Sequence, residues 1–527
     1  MSKFTSSARP TRLHYLWIMA ASLYLFVSLV TNLASFPGLH GDEGWIGLHA
    51  LRIQQEGLCS PHGMNRYTAP LQSWMIAHIF NWFGASIFSL RILSVCINTL
   101  AAFLLVRGLT YSVSPKNGFL AWCLLLSCIY FFWGSRLVWE ITFLPPLVLT
   151  IIFLQTISFL ERKRFSSPAV LLFLFANYIG SINHFLFISI PVSLFLTSSL
   201  FVFIYKDEKL WHFFLLTGVN FLLICPLFMI KLIISQELFF HYKPIFIIAF
   251  FMLPIGFLII FRIVERYLIP RPDGLLDMPL PGEESTRRIL RYCLTGPIVL
   301  FVVVHGVPFV RFWSSEPIFK RFASWAPGLF VEGFGYVWAI FFLTAFGLLF
   351  VRHIPRTGAP RGERVFRSFV LLWCVVYLLI LVVFVRGNAM RYYYILALLM
   401  IAAFAATFST PENPLRWRTL APFMIAALVF NAVAWKEVPG VANRAPFDFS
   451  IWWNPPETSY HFLKLDSIVD TLRREKVCKV ESDSKFNRTS LLFYIAIGQW
   501  ECDPSKVYKI NYCRHCKETN YFSIEPL

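Results

Sequence analysis

The sequence predicts a mainly α protein: a polytopic membrane helix bundle over residues 1–435, followed by a small extracytoplasmic α/β domain over 436–527. Three observations predict it. The chain of 527 residues is 57% hydrophobic and 18% aromatic with only 14% charged residues, and its mean hydropathy of +0.61 is too high for a soluble domain. Apolar runs long enough to cross a hydrocarbon core of roughly 30 Å recur as far as Trp435, without the alternation of a membrane barrel. Lys and Arg, 47 against 29 acidic residues, gather mainly in the segments on one side of these runs, the positive-inside pattern. The charge of +18 would suit nucleic acid in a soluble chain, but no Gly-rich phosphate loop, Arg-rich arm or nucleic-acid motif accompanies it.

About 13 spans are expected, near 13–33, 86–106, 117–135, 141–160, 168–183, 185–205, 210–231, 244–261, 293–310, 336–351, 369–385, 392–408 and 419–435. The first follows a basic N-terminus, is long and lacks a small-residue cleavage site, so it reads as a retained anchor. The charge bias places the N-terminus in the cytoplasm together with Arg162-Lys163-Arg164, the Arg262–Arg291 loop and Arg352–Arg367. The segment 35–85 and the tail from Lys436 then face outward.

The first outer segment carries the main site candidates. Asp42 and Glu43 precede Trp45, Ile46, Leu48, Leu51 and Ile53, a pattern for an amphipathic helix along the membrane surface. His49, Arg52, Gln54, Gln55 and Glu56 fill most of its other face, and Gly57, Ser60, Pro61 and Gly63 end it. Tyr67-Thr68-Ala69-Pro70-Leu71 opens a second aromatic-rich segment that closes at Phe83-Gly84. Asp42 could simply cap its helix; capping and chemistry are compatible.

The Asp42-Glu43 pair after the first span, Pro70-Leu71 with Trp74, Phe83-Gly84, and Ser89-Leu90-Arg91 opening the next span resemble the GT-C superfamily of membrane glycosyltransferases. The branch most similar is that of the protein O-mannosyltransferases and the aminoarabinose transferases of lipid A. Direct motif support covers about the first third of the chain, beyond which the resemblance rests on topology and a few positions. It implies a sugar donor linked to polyprenyl phosphate, and transfer at the outer face with inversion at the anomeric carbon. The acceptor would be a glycolipid, polysaccharide or protein, with membrane lipid as the surroundings and a bacterial inner membrane as the location. Asp42 is then the leading base, with Glu43 and Glu140 as supporting carboxylates. No cofactor is required; a divalent metal is possible but not indicated, since no Asp-x-Asp stands in the first outer loop.

Further along, Arg136 and Glu140 stand four residues apart in a short outer loop and could pair on a helix end; the resemblance instead points Glu140 into the cavity of Asp42. His184 reads as a hydrogen-bonded turn residue. Lys231 either snorkels to the interface or binds a lipid phosphate. The Pro-rich Arg262–Tyr292 loop reads as a linker, and Arg311–Gly335, with Lys320 and Arg321 among Trp313, Phe319, Phe322 and Trp325, as an interfacial belt that the resemblance makes a candidate lid. Arg386 and Arg391-Tyr392-Tyr393 place arginines on the outer side, against the charge bias. A planar guanidinium suits a carrier phosphate, so Arg391, Arg386, Tyr393 and Lys231 are the phosphate candidates, with headgroup anchoring the competing role.

The tail is expected to alternate helix 465–472, strand 477–480, helix 489–498 and strand 507–510. Its Cys478, Cys502, Cys513 and Cys516, four of 11 in the chain, favour two disulfides over a zinc site outside the cytoplasm. Asn487-Arg488-Thr489 is an N-glycosylation sequon. The competing functional class is a transporter or flippase of a lipid-linked substrate, which calls for mid-span charges and inverted repeats; here the charges cluster at one surface. A receptor or scaffold is a third.

Overall fold

The computed structural model describes residues 12–35, 38–57, 71–161, 165–205, 208–233, 254–263, 361–384, 394–407, 465–482, 485–512 and 522–527, with a few isolated positions between. The helices are α1 (Arg12–Val30), α2 (Gly41–Glu56), α3 (Leu71–Phe83), α4 (Ile87–Ser112), α5 (Pro115–Ser127), α6 (Ile129–Arg136), α7 (Pro145–Glu161), α8 (Ser167–Asn183), α9 (Ser189–Tyr205) and α10 (Glu208–Ile233). They continue with α11 (Arg361–Phe384) and α12 (Tyr394–Thr407), then α13 (Asp466–Arg474) and α14 (Lys485–Gly498) in the tail. The spans expected at 293–310 and 336–351, half of 244–261, most of 419–435, the Arg311–Gly335 loop and most of the Pro-rich linker lie outside the described residues.

Local chemistry sets several helix ends. Ser86 begins α4 by accepting from the Ser89 N–H at 3.0 Å, and Ser114 followed by Pro115 starts α5. The helices bury one side and leave another apolar side exposed. On α1, Ile18, Leu25 and Leu29 are buried while Leu13, Leu16, Met19, Leu23 and Val27 face outward. Leu100 on α4, Leu172 on α8, Leu196 and Leu200 on α9 and Leu222 on α10 are also exposed. Apolar outward faces of this kind suit lipid. Among the described residues, α1 and α4, of 19 and 26 residues, are the helices long and apolar enough to cross a bilayer alone.

The long α4 is the axis, packed against α1, α3, α5 and α7. The main core runs through α1 and α4 to α12, with Phe153 of α7 stacked on Trp373 of α11 at 6.2 Å and Trp373 Nε1 donating to Ser193 Oγ of α9 at 2.9 Å.

Three expectations need correction. The span expected at 117–135 is two helices, α5 and α6, separated by an extended Cys128 (φ −81°, ψ 107°). The span expected from 141 begins at Pro145 because 137–144 is an irregular segment tied down by side chains. And α2 does not lie free along a surface: Gly44, Trp45, Ile46, Gly47, His49, Ala50 and Ile53 are buried, between α3 on one side and α14 on another.

In the tail, β1 (Val477–Ser482), β2 (Asp503–Tyr512) and β3 (Phe522–Pro526) form one sheet in the order β1-β2-β3. β1 and β2 are parallel, joined through α14; β2 and β3 are antiparallel. A parallel pair needs such a crossover. The third strand has no counterpart among the expected elements. Ile468, Leu472, Val477, Leu491 and Ile510 form a small core between the helices and the sheet, and Cys478 is disulfide-bonded to Cys502, bridging β1 to the start of β2. Cys513, His515 and Cys516 lie outside the described residues.

Candidate active site

The site is built from the N-terminus of α2 upward. His40 is the N-cap: its Nδ1 accepts the Asp42 N–H at 3.1 Å, and the Glu43 carboxylate reaches back to accept the His40 N–H at 3.1 Å. This is a capping box with imidazole in place of the usual hydroxyl. Asp42 and Glu43 therefore occupy the first turn, where the helix dipole favours negative charge.

The two carboxylates then part company. Glu43 is fully buried and meets the equally buried Arg91 of α4 in a fork: Nε to Oε1 at 2.9 Å and Nη2 to Oε2 at 2.7 Å. Oε1 also accepts the Val138 N–H at 3.2 Å. With the His40 N–H on Oε2, four donors occupy the four lone-pair directions of the carboxylate. Arg91 continues to the carbonyls of Leu33 and Gly38, both at 3.1 Å. One ion pair thereby ties the residues after α1, the start of α2, α4 and the segment after α6. The Asp42 side chain, by contrast, keeps 14% exposure, with Oδ2 3.6 Å from His40 Nδ1.

The segment 137–144 is held by a stripe of buried polar groups. Ser94 Oγ donates to Leu137 O at 2.8 Å, and Asn98 Nδ2 to Thr142 O at 2.8 Å. Gln72 Nε2 of α3 donates to Val138 O at 3.1 Å, and Asn183 Nδ2 of α8 to Glu140 O at 2.7 Å. The Tyr394 hydroxyl of α12 donates to Asn98 Oδ1 at 2.7 Å and lies 3.1 Å from Ser135 Oγ. Its ring occupies the place a side chain at Gly134 would take. Glu140 itself is buried. Arg136 caps α1, donating to the carbonyls of Leu29 at 3.1 Å and Thr31 at 2.7 Å, where a cation is favoured by the helix dipole.

The tail domain closes the other flank of α2. The α14 helix runs parallel to it: a side chain at Gly44 would stand 2.8 Å from Thr489 O and 2.9 Å from Ser490 Cα, and one at Gly47 would enter the Phe493 ring. Ser490 Oγ donates to Leu39 O, just before the N-cap, at 2.9 Å. Phe493 packs with Leu39, Ile46, Ala50, Ile76, Phe80 and Val138.

No family model matches the chain, and no curated protein matches it. Among solved structures, it is similar to ArnT of Cupriavidus metallidurans bound to undecaprenyl phosphate, at 13% identity and a TM-score of 0.43, over 92% of this chain and 76% of that one. The apo structure of the same ArnT is similar at 10% identity and a TM-score of 0.35, over 94% and 92% of the two chains.

Of the sequence candidates, the structure brings Asp42 and Glu43 together with the segment that carries Glu140. His184 is a turn residue as expected, its Nδ1 accepting the Leu186 N–H at 3.2 Å. Arg386, Arg391 and Tyr393 lie outside the described residues; Lys231 lies on α10, its side chain outside them. No group of three or more His, Cys, Asp or Glu able to hold a metal occurs among the described residues. Sequence reasoning passed over His40, Ser94, Asn98 and Gln72, and gave Asn183 and Tyr394, which stand beside His184 and Tyr393, no part in holding the 137–144 segment. The visible signal was the spacing of Arg91, Ser94 and Asn98, which repeats a polar group down one face of an otherwise apolar span.

Proposed function

We propose that the chain is an integral-membrane glycosyltransferase that moves a sugar from a polyprenyl-phosphate-linked donor to an acceptor on the outer face. The observation that carries this reading is the division of labour between adjacent carboxylates: Glu43 is saturated by four donors, while Asp42 keeps part of its surface open at the rim of the frame that Glu43 makes. Together with the motifs Pro70-Leu71, Trp74, Phe83-Gly84 and Ser89-Leu90-Arg91, it favours the reaction class that the GT-C resemblance implies.

In this reading Asp42 takes the proton of the acceptor hydroxyl or amine as that group attacks the anomeric carbon. The bond from carbon to the phosphate oxygen breaks, and polyprenyl phosphate leaves with the electron pair. Attack opposite the leaving group inverts the anomeric carbon. Arg391 and Arg386, with Tyr393 and Lys231, steady the departing phosphate, a role for which fixed guanidinium charge is suited. Glu43 supports the chemistry by placing Asp42, and Glu140 acts as a second carboxylate on the segment that Glu43 anchors. The acceptor is a glycolipid, polysaccharide or protein, and the tail domain lies on the same outer side, with the N-terminus in the cytoplasm.

The test is transfer of label from defined polyprenyl-phosphate sugars into membrane extracts, comparing the wild type with Asp42→Asn at matched expression. General-base removal predicts a fall of about 10²- to 10⁴-fold. Full incorporation by Asp42→Asn would remove Asp42 from the mechanism. No incorporation from any donor, with carrier movement across vesicles intact, would replace the transferase by a transporter.

A further inference from the structure

We propose, resting on the reading of Asp42 given above, that His40 is a positioning residue: its neutral imidazole caps the helix that carries Asp42, and its protonation draws Asp42 into an ion pair with the ring. Ser, Thr, Asp and Asn are the usual N-caps. An imidazole cap differs from all of them in changing charge between about pH 5 and 8.

The hydrogen bonds fix the resting tautomer. Nδ1 receives the Asp42 N–H at 3.1 Å and the Trp139 indole N–H at 3.3 Å. Both are donors only, so Nδ1 presents its lone pair and Nε2 carries the proton. The same Nδ1 lies 3.6 Å from Asp42 Oδ2. A lone pair facing a carboxylate is not an ion pair; it becomes one when Nδ1 gains a proton from solvent. That proton displaces both N–H donors, so the cap on Asp42 and the tie to Trp139 are lost as the carboxylate is drawn onto the ring.

The ring has little room to avoid the choice. It stands edge-on to Trp139 at 5.3 Å, and its side chain is 7% exposed. The backbone around it is held at Gly38 O by Arg91, at Leu39 O by Ser490 and at the His40 N–H by Glu43. Among the described residues, the surrounding elements also bring Glu43 on α2, Arg91 on α4, Arg136 at the end of α6, Glu140 on the 137–144 segment and Arg488 on α14. Glu43 and Arg91 answer each other, Arg136 is engaged with α1 carbonyls, and Arg488 is exposed. Glu140 sits beside Trp139 on the segment that donates to the ring. Among the described residues, Asp42 is the anion recorded beside His40 Nδ1, at 3.6 Å.

The experiment is a pH profile of transfer by the full chain at saturating donor for the wild type, His40→Asn and Trp139→Phe. The wild type should lose activity about tenfold per pH unit below the imidazole range. His40→Asn, whose amide oxygen can still cap, should lack that limb and decline only near the carboxylate range, about pH 4. Trp139→Phe removes one donor that opposes protonation and should move the limb to higher pH. An unchanged limb in His40→Asn, or one moved downward in Trp139→Phe, overturns the role. A readout independent of transfer is nitrogen NMR of the histidine-labelled protein in bilayers, with His40 assigned from the signal that His40→Asn loses. Protonation at Nε2 alone at pH 8 and at both nitrogens at pH 5 is expected; Nδ1 protonated at pH 8 overturns the proposal. Absence of transfer by the wild type with any donor defeats the transferase reading, and the NMR signal still decides the tautomer.

Discussion

Arg91 and Glu43 grip each other through two hydrogen bonds of 2.9 and 2.7 Å, and neither side chain reaches solvent. Removing one partner strands a charge. Arg91→Met or Glu43→Leu alone should lower stability by about 3–5 kcal/mol, whereas the double variant should recover most of that loss. Arg91→Lys should behave as a disruption, because an ammonium cannot reproduce the fork. Denaturant titration in detergent measures all four; equal losses for the single and double variants would show that the pair does not act as a unit.

The seam between α2 and α14 separates two glycines that look equivalent in the sequence. A methyl group at Gly44 meets backbone atoms, at 2.8 Å from Thr489 O, while the atoms nearest to one at Gly47 belong to the Phe493 ring. Backbone cannot turn aside as a ring can. Gly44→Ala is expected to cost about 1–3 kcal/mol and to open the tail domain to protease, with Gly47→Ala milder and rescued by Phe493→Leu. Equal protease sensitivity of the two would contradict the parallel seam.

Tyr394 joins α12 to α4 and α6 by one hydroxyl. Tyr394→Phe deprives the buried Asn98 Oδ1 of its donor at 2.7 Å, which should cost about 1–3 kcal/mol. The effect should spread to the 137–144 segment through Asn98 and its bond to Thr142 O. Hydrogen exchange of the Val138–Thr142 amides is the check, and unchanged protection there would confine the role of Tyr394 to α12.

The Cys478–Cys502 disulfide closes a loop with a sequence separation of 24 in the tail. Replacing both by Ser should destabilise that domain by roughly 3 kcal/mol on chain-entropy grounds. Because α14 lies within the closed loop and also packs on α2, the variant should expose Leu39 and Phe493. Protease mapping would reveal it; a cut pattern identical to the wild type would mean that α14 is held by α2 alone.

Much of this was legible in the sequence, for identifiable reasons. Unbroken apolar runs imply helices in lipid, and α4 and α8 to α10 fall close to the spans that hydropathy marks. Asp42-Glu43 stood out because adjacent acids beside an apolar span are costly without a purpose. What stayed hidden depends on contacts across the chain. Nothing local distinguishes Asp42 from Glu43; the difference is made by Arg91, 48 residues away, and by the Val138 amide. The helix α2 reads as amphipathic because His49 and Arg52 are polar, yet the tail domain covers it, and only the glycine pair Gly44 and Gly47 hinted at a close neighbour. The break at Cys128 has no local breaker such as Pro or Gly to announce it.

Ser490 touches the carbonyl of Leu39 across a separation of 451 residues. During synthesis, then, the acidic helix emerges early and waits for nearly the whole membrane bundle to be inserted before its last wall arrives. Contacts of such long range form late. A nascent chain halted before α14 would own every candidate catalytic side chain and still present α2 with a bare apolar flank, a surface that chaperones and proteases recognise. The arrangement makes synthesis of α14 a checkpoint on the competence of the site.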